Sequence, residues 1–534
     1  MASLLENSDK GGYMSAALEV IFGPPGTGKT TELTRLAKQY AEAEGSDTLL
    51  LCAFTRTAAH ELAGRGVELD KRQIGTLHSL CFHGLDRPRL AEMHSKEWNE
   101  AYPMYTISSA RAIQDSEMGE TGKLYGDQCL NEINVSRHQL LPVTTWSEPA
   151  QMFWHDWQAW KYDGGYLDYT DLIERAWTVL PVAPHANRPY TLIVDEAQDM
   201  SLLQWKLLMQ WAEHGARFIA GGDDDQALYR WAGADFRPML AASSRRVLPQ
   251  SYRVPRSHQV LADTYSQYIT YREPKTWHPR AADGEIIETG LGWHDAGFWA
   301  SQAQQWLENP DAWGTHTFLA PCSYMLQPLL TELRTLGIPF GNRWRTARHD
   351  WNPLLPPQRG IGMVQRILDF LKSPDRLWTW QELATWAEIV RMEGVFVRGA
   401  KERISAKSEE LRACTHEELR ALFVPYQLDA ALSRGLEWFE EYALQQPAKS
   451  LAYPCRVYHR YGRDALTDEP RIRVGTCHSF KGTESDTVVY FTDLSRSQCL
   501  ALCEGSEAAD DVWRMRYVAV TRSRDTLILA GPQE

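Results

Sequence analysis

A chain of 534 residues exceeds what one hydrophobic core can serve, so several domains are expected. Its 43% hydrophobic and 23% charged residues suit a globular protein, and no apolar run nears the roughly 20 residues that span a bilayer, which excludes a membrane class. A net charge of −13 argues against coating nucleic acid by bulk electrostatics, while leaving room for a local basic channel.

The N-terminal stretch MASLLENSDKGGYMSAA lacks the basic-then-apolar design of a secretory signal. The 9 cysteines contain no C-x-x-C pair, so a zinc ribbon or iron–sulfur cluster is not expected. Reduced thiols and a cytoplasmic location are the simpler expectation.

The first informative run is Leu18–Phe22, apolar and strand-like, followed by Gly23-Pro24-Pro25-Gly26-Thr27-Gly28-Lys29-Thr30. The pattern G-x-x-x-x-G-K-T between a strand and a helix is that of a phosphate-binding loop. Its glycines let backbone N–H groups turn inward as a nest, and the helix N-terminus adds its positive dipole end. Lys29 would reach the β- and γ-phosphates, and the Thr30 hydroxyl would hold Mg²⁺.

Thr31–Ala43 has helical spacing, Asp47–Ala53 reads as a buried parallel strand, Thr57–Gly64 as a helix and Gln73–Leu77 as a short strand. This β-α-β repetition predicts a doubly wound α/β domain. From Cys81 to Leu180 the chain turns helical and aromatic. Strands return at Tyr190–Asp195, Arg217–Gly221 and Arg246–Leu248.

A second α/β signal begins at Thr315–Ala320 and continues through a helix over Leu326–Leu336. Residues 344–463 are again mostly helical. The last strands are predicted at Ile472–Thr476, Thr487–Phe491 and Asp525–Ala530. The expected organisation is two α/β cores with parallel sheets, each carrying one mainly helical insertion. The boundaries are 1–80 with 181–247 for core 1, 81–180 for its insertion, 248–345 with 466–534 for core 2, and 346–465 for the second insertion.

Asp195-Glu196-Ala197-Gln198 sits at the C-terminal end of a strand, where open parallel sheets build their sites. Asp195 would complete a Mg²⁺ site with Thr30, and Glu196 could act as general base on the attacking water. The bland alternative is a pair of acids capping the next helix. Gln226 could touch the γ-phosphate or that water. Tyr229 and Trp231 could stack on bases or fill a core. Trp154, Trp157 and Trp160 share a helical face, where packing is favoured over a DNA platform. Arg253 and Arg522 are candidates for stabilising transition-state charge on a γ-phosphate.

Taken together, GPPGTGKT, AFTRTAAHEL, IGTLHSLC, DYTDL, IVDEAQD, GDDDQALYRWAGAD, QSYR, VGTCHSFKGTESD and YVAVTRSR resemble, in order, the motifs of superfamily 1 helicases of the UvrD/Rep-like branch. The resemblance covers both α/β cores, about half the chain, and implies two RecA-like P-loop NTPase domains. It implies that Lys29, Thr30, Asp195, Glu196 and Gln226 are hydrolytic, with Gly23, Pro24, Pro25, Gly26, Thr27, Gly28 and Thr31 completing the ATP cradle. Tyr252 would stack on adenine, Glu484 would contact ribose, and Arg253 and Arg522 would meet the γ-phosphate. Phe54, Thr55, Arg56, His78, Tyr229, Trp231, Thr476 and His478 would line the single-strand track.

The resemblance further implies an ATP- and Mg²⁺-dependent, monomeric translocase acting 3′-to-5′ on single-stranded DNA and single-strand/duplex junctions, with no membrane role. An ATP-gated recruitment module and an RNA helicase stay open as alternatives. Several positions depart from the family pattern. Arg56 stands where Asn is usual and Thr483 where Leu is usual; no adenine-reading Gln motif precedes the loop, and the chain stops soon after Arg524.

Overall fold

The computed structural model describes residues 17–53, 69–108, 124–309, 314–342, 351–357, 360–373, 375–505 and 507–531. These fall into two compact units. The first comprises Met1–Ile287, Phe480–Glu484 and Leu494–Leu527, and the second Glu288–Ser479, Ser485–Asp493 and Ile528–Glu534.

The first unit is built on a six-stranded parallel sheet. Its strands are β1 (Leu18–Phe22), β2 (Leu49–Ala53), β3 (Ile74–Thr76), β4 (Tyr190–Asp195), β5 (Gly215–Gly222) and β6 (Ser244–Val247), in the order β3-β2-β4-β5-β1-β6. β1 pairs with β5 through Val20 and Ala220, and β4 with β2 through Ile193 and Leu51. The central strands are buried along almost their whole length because helices cover both faces. All six residues of β4 are buried. Each large aliphatic side chain withdrawn there stabilises the fold by about 1.5–3 kcal/mol.

Helix α1 (Lys29–Glu44) lays Leu33, Leu36 and Ala37 against Ile21, Leu51, Ile193 and Ile219. The insertion after β3 contains α2 (Tyr125–His138), α3 (Glu148–Gly164) and α4 (Tyr169–Val179) around its own aromatic core. Trp157 is fully buried there, with Trp154 and Trp160 partly buried beside it. Asp168 caps α4 and is the insertion's polar hub. It accepts hydrogen bonds from Arg137 Nη1 at 3.0 Å, Lys161 Nζ at 2.5 Å and Trp157 Nε1 at 3.0 Å. The three tryptophans are therefore packing residues of this core.

α5 (Arg256–Ser266) and α6 (Glu507–Val520) pack on each other within the first unit. The compact division differs here from the boundaries expected at 248 and 466. Residues up to Ile287, and those from Leu494 to Leu527, group in one compact unit with the first sheet. The physical reason is a buried charge cluster after β5. Lys275 Nζ bridges Asp224 at 2.5 Å and Asp225 at 2.9 Å, Arg272 pairs with Asp225 at 2.7 Å, and Arg514 Nε donates to the Asp224 carbonyl at 2.9 Å. Tyr252, Arg253 and Arg522, expected in a second core, thus lie in the same compact unit as Lys29.

A second six-stranded sheet has the order β7-β12-β11-β8-β10-β9. Its strands are β7 (Glu285–Thr289), β8 (His316–Ala320), β9 (Phe340–Gly341), β10 (Ile472–Thr476), β11 (Ser485–Phe491) and β12 (Ser523–Ala530). β8 runs parallel to β10 and β11, and β9 parallel to β10. β7 and β12 each run across the division between the units. β7 and β9 were not anticipated: β7 is short, acidic and mostly exposed, and β9 has only two residues.

The second insertion, within the second unit, is a set of short helices from Met363 onward, closed by a 17-residue helix over Gln445–Tyr461. Trp378, Trp386 and Trp438 pack there with Phe370 and Phe439. The helix expected at Thr57–Gly64 lies outside the described residues. No helix among the described residues is long and apolar enough to cross a membrane.

Candidate functional site

The loop Gly23–Gly28 leaves the C-terminal end of β1 and feeds α1. Gly28 is the helix N-cap with φ 77°, and Gly26 has φ 73°, a left-handed geometry that favours glycine. The loop is tied down on two sides. Gly23 N–H donates to the Gly222 carbonyl at the end of β5 at 2.9 Å. Ser251 Oγ donates to the Pro25 carbonyl at 2.7 Å, and Tyr252 N–H to the Gly26 carbonyl at 2.9 Å. Pro24 accepts from the Thr27 hydroxyl at 2.8 Å. Thr31 follows on the exposed side of α1.

Lys29 Nζ lies 2.9 Å from Glu196 Oε1, and Thr30 Oγ1 donates to Asp195 Oδ2 at 2.7 Å. The C-terminal end of β4, separated from β1 by β5 in the same parallel sheet, thus delivers both acids to the mouth of the loop. Glu196 is non-glycine with φ 53°, a costly conformation that clusters at functional sites. It turns the carboxylate back toward Lys29 rather than onward into the next turn.

Burial works against the Lys29 ammonium, but the carboxylates of Glu196 and Asp195 more than offset it and hold its pKa above the ordinary value. Burial likewise opposes the Glu196 charge, yet Lys29 and Lys481 overcome it and leave Glu196 at about 2. Asp195 is driven upward by burial, with Lys29 pulling the other way.

A hydroxyl and a carboxylate sharing one corner suit Mg²⁺, which takes one or two carboxylates and fills its octahedron with phosphate oxygens and water. Among the described residues no cluster of three His, Cys, Asp or Glu groups is suited to a metal. A Mg²⁺ bound chiefly through phosphate does not need one.

Gln226 lies in the turn after β5. Its Nε2 donates to Asp223 Oδ2 at 2.6 Å, and its Oε1 accepts from Arg522 Nη2 at 3.0 Å. Arg522 is 1% exposed, and its other partners are neutral: the Val518 and Thr483 carbonyls and the Thr521 hydroxyl. No carboxylate among the described residues pairs with it. Burial and the neighbouring Arg253 charge push its pKa down to about 9. A buried guanidinium lacking a counter-charge suits a polyanionic ligand.

Arg253 Nε lies 2.5 Å from Glu484 Oε2, whose other oxygen accepts from Arg524 Nη1 at 2.9 Å. The Tyr252 ring stands 72% exposed beside the loop. Lys29, Thr30, Asp195, Glu196, Gln226, Tyr252, Arg253, Glu484 and Arg522 therefore all belong to one compact unit.

Three supporting residues went unnoticed in the sequence. Gln198 is fully buried and bonded to Glu196. Lys275 is a buried cation facing Asp223, Asp224 and Asp225, and Lys481 lies 2.7 Å from Asp199 Oδ1. Gln198 and Lys481 sit inside motifs already singled out, so proximity to Glu196 was the available signal. Lys275 carries no local signal.

The expected strand-track residues divide. Tyr229 is buried under the Lys481 ammonium at 5.0 Å, and Trp231 is 40% exposed with its ring edge toward Tyr229 at 6.4 Å. His78 is half-buried, edge-on to Tyr169 and His138, and burial lowers it to about 4. Thr476, at the end of β10, and His478 belong to the second unit. Phe54, Thr55 and Arg56 lie outside the described residues.

Comparison with known proteins agrees with this geometry. Residues 16–246 match the family "UvrD/REP helicase N-terminal domain". The chain is 27% identical to "ATP-dependent DNA helicase PcrA" of Bacillus subtilis over 47% of its length, covering 37% of that protein. It is 24% identical to the PcrA of Staphylococcus epidermidis over 50% of its length, covering 40% of that protein. Matches to these PcrA relatives thus span well under half of their length. Against "DNA helicase II" of Escherichia coli K12 the identity is 24%, over 96% of this chain and 82% of that protein. The ordered motifs, the parallel sheet that presents them and the match over 16–246 agree: residues 16–246 form a domain of the UvrD/REP helicase N-terminal family, and the chain is similar to the UvrD/Rep-like superfamily 1 helicases.

Proposed function

We propose that this protein hydrolyses ATP to translocate on single-stranded DNA and to separate duplex strands at junctions, moving 3′-to-5′. The observation that carries the reading is the convergence of Lys29, Glu196 and the counter-charge-free Arg522 on one buried hydrogen-bonded frame. The relatives named as ATP-dependent DNA helicases support the same activity and DNA as the substrate.

In this mechanism the loop N–H groups and Lys29 bind the phosphates, and Tyr252 offers its exposed face to the base. Thr30 and Asp195 would hold Mg²⁺, which when bound supplies neutralisation of phosphate charge. Glu196, ionised at neutral pH, orients the attacking water and accepts its proton. Arg522 and Arg253 stabilise the charge that develops on the γ-phosphoryl oxygens, a positioning and electrostatic task. Trp231 offers a stacking surface for bases beside this frame. We assign core 1 to 1–80 and 181–247 with its insertion at 81–180, and core 2 to 248–345 and 466–534 with its insertion at 346–465.

The test is strand displacement on duplexes with a 3′ or a 5′ single-stranded tail, with and without ATP. ATP-dependent displacement restricted to the 3′-tailed duplex supports the reading. DNA-stimulated hydrolysis without displacement of either duplex overturns the helicase assignment.

A further inference from the structure

Gln198 is fully buried, and its amide is used from both ends. Its Nε2 donates to Glu196 Oε2 at 2.5 Å and reaches Asp199 Oδ2 at 3.3 Å. Its Oε1 accepts from the Asp223 N–H at 3.0 Å. A carboxylate on one side and a backbone donor on the other leave only one orientation of the amide that bonds with both. From Asp223 the bonds continue through Gln226 to Arg522. There is no spare room, because a Cβ placed on Gly222 would fall 2.7 Å from Gln198 Oε1.

We propose that Gln198 is a positioning residue that yokes the general base Glu196 to the Asp223–Gln226 turn, so that Glu196 is aimed only when that turn and Arg522 are in register. This deepens the hydrolytic reading and rests on Glu196 being the base. Glu196 holds a left-handed backbone conformation, so its carboxylate direction needs outside support. Lys29 grips one oxygen and Gln198 the other. Lys29 is also committed to phosphate in the proposed reaction, which leaves Gln198 as the constant support. Asp199, which the same amide reaches, is itself held by Lys481 at 2.7 Å. The yoke therefore stands on an anchored base.

The experiment is steady-state ATP turnover of the full chain with a single-stranded DNA oligomer, comparing wild type with Glu196→Gln, Gln198→Met and Gln198→Glu. Gln198→Glu keeps the shape and the acceptor for the Asp223 N–H, and sets a carboxyl beside Glu196 and Asp199 in place of the amide donor. Both Gln198 variants should lose about 10- to 100-fold in kcat with KM for ATP changed less than about threefold. A double variant, Gln198→Met with Gln226→Met, should be no slower than the slower single variant, because both cut one linkage.

A merely structural Gln198 would instead lower thermal stability, leave kcat of the folded Gln198→Glu protein at the wild-type value and give losses that multiply in the double variant. Either a wild-type kcat in Gln198→Glu or multiplying losses overturns the proposal. If Gln198→Met does not fold, Gln198→Glu alone decides. If Glu196→Gln turns over normally, the base assignment itself has failed. If Glu196→Gln is inactive while Gln198→Glu is normal, only the yoke has failed.

Discussion

Arg522 Nη2 donates to Gln226 Oε1 at 3.0 Å across a separation of 296 positions in the chain. The bond is made between a residue two positions beyond the end of α6 and the turn after β5, and both belong to the first compact unit. Gln226 spends its amide nitrogen on Asp223, so the oxygen is what it presents to Arg522. Its role on this geometry is to aim the guanidinium. Gln226→Glu should therefore pair ionically with Arg522 and withdraw it from a triphosphate. We expect kcat to fall about 10-fold or more, with ATP binding by fluorescent-nucleotide titration retained.

Lys29→Ala should abolish measurable hydrolysis while leaving the fold intact. Lys29 contributes charge to the site, and Glu196 keeps Gln198 as a partner. Loss of one such phosphate-directed donor costs about 100-fold or more. Phosphate-release kinetics and a circular-dichroism melt check the two halves of this expectation.

Glu196→Gln should lower kcat by about 100- to 10,000-fold, the span of general base catalysis. With its carboxyl near 2, Glu196 is ionised across the working range. A folded-state pKa below the unfolded value contributes stability that is present above about pH 4.5 and lost as pH falls toward 2. Between pH 6 and 8 the hydrolysis rate should accordingly show no acid limb from this residue. A kcat profile over that range tests it.

Glu92 gives the opposite sign. It is buried in the first insertion; burial first and the Asp168 charge second push its carboxyl up to about 8. Its Oε1 accepts from the Tyr169 N–H at 3.0 Å, while Oε2 finds no partner among the described residues. The unfolded chain releases this proton near pH 4.5 and the folded chain holds it to about 8, so folding weakens as pH rises through that window. Glu92→Gln should melt at a higher temperature than wild type at pH 8 and lose that advantage at pH 5, as read by calorimetry.

Trp231→Ala should weaken single-stranded DNA binding about 5- to 150-fold, the value of one base–aromatic stack, with little effect on DNA-free hydrolysis. The ring is 40% exposed, against a buried Tyr229, so it is the available face of the pair. Anisotropy titration of a labelled oligomer at fixed salt tests it. Equal affinities would return Trp231 to a packing role.

The β-α-β rhythm and the phosphate loop were legible because apolar runs, glycines and Lys29-Thr30 act locally. β1, β2 and β4 are each buried on both faces and announce themselves in the sequence. β7 did not, since Glu285–Thr289 is half acidic and mostly exposed. The acids of the site were legible as a cluster after a strand. What stayed hidden was the frame that holds them. Lys275 meets Asp223, Asp224 and Asp225 only after some 50 residues of intervening chain have folded back, and spacing carries no record of that return. Spacing is equally silent on the buried ion pairs by which Arg272 and Lys275 tie residues 248–287 into the same compact unit as the first sheet.

The bonds from Ser251 and Tyr252 to the carbonyls of Pro25 and Gly26 have a thermodynamic corollary. A glycine-rich segment left to itself would wander, and a nucleotide would have to freeze it on arrival. Here that ordering is settled when the chain folds, and the incoming phosphates find a cradle already in shape. Any side chain introduced at Gly26 would strike Arg253 and unlatch the segment. The loss would surface as weaker nucleotide affinity before any chemistry had slowed.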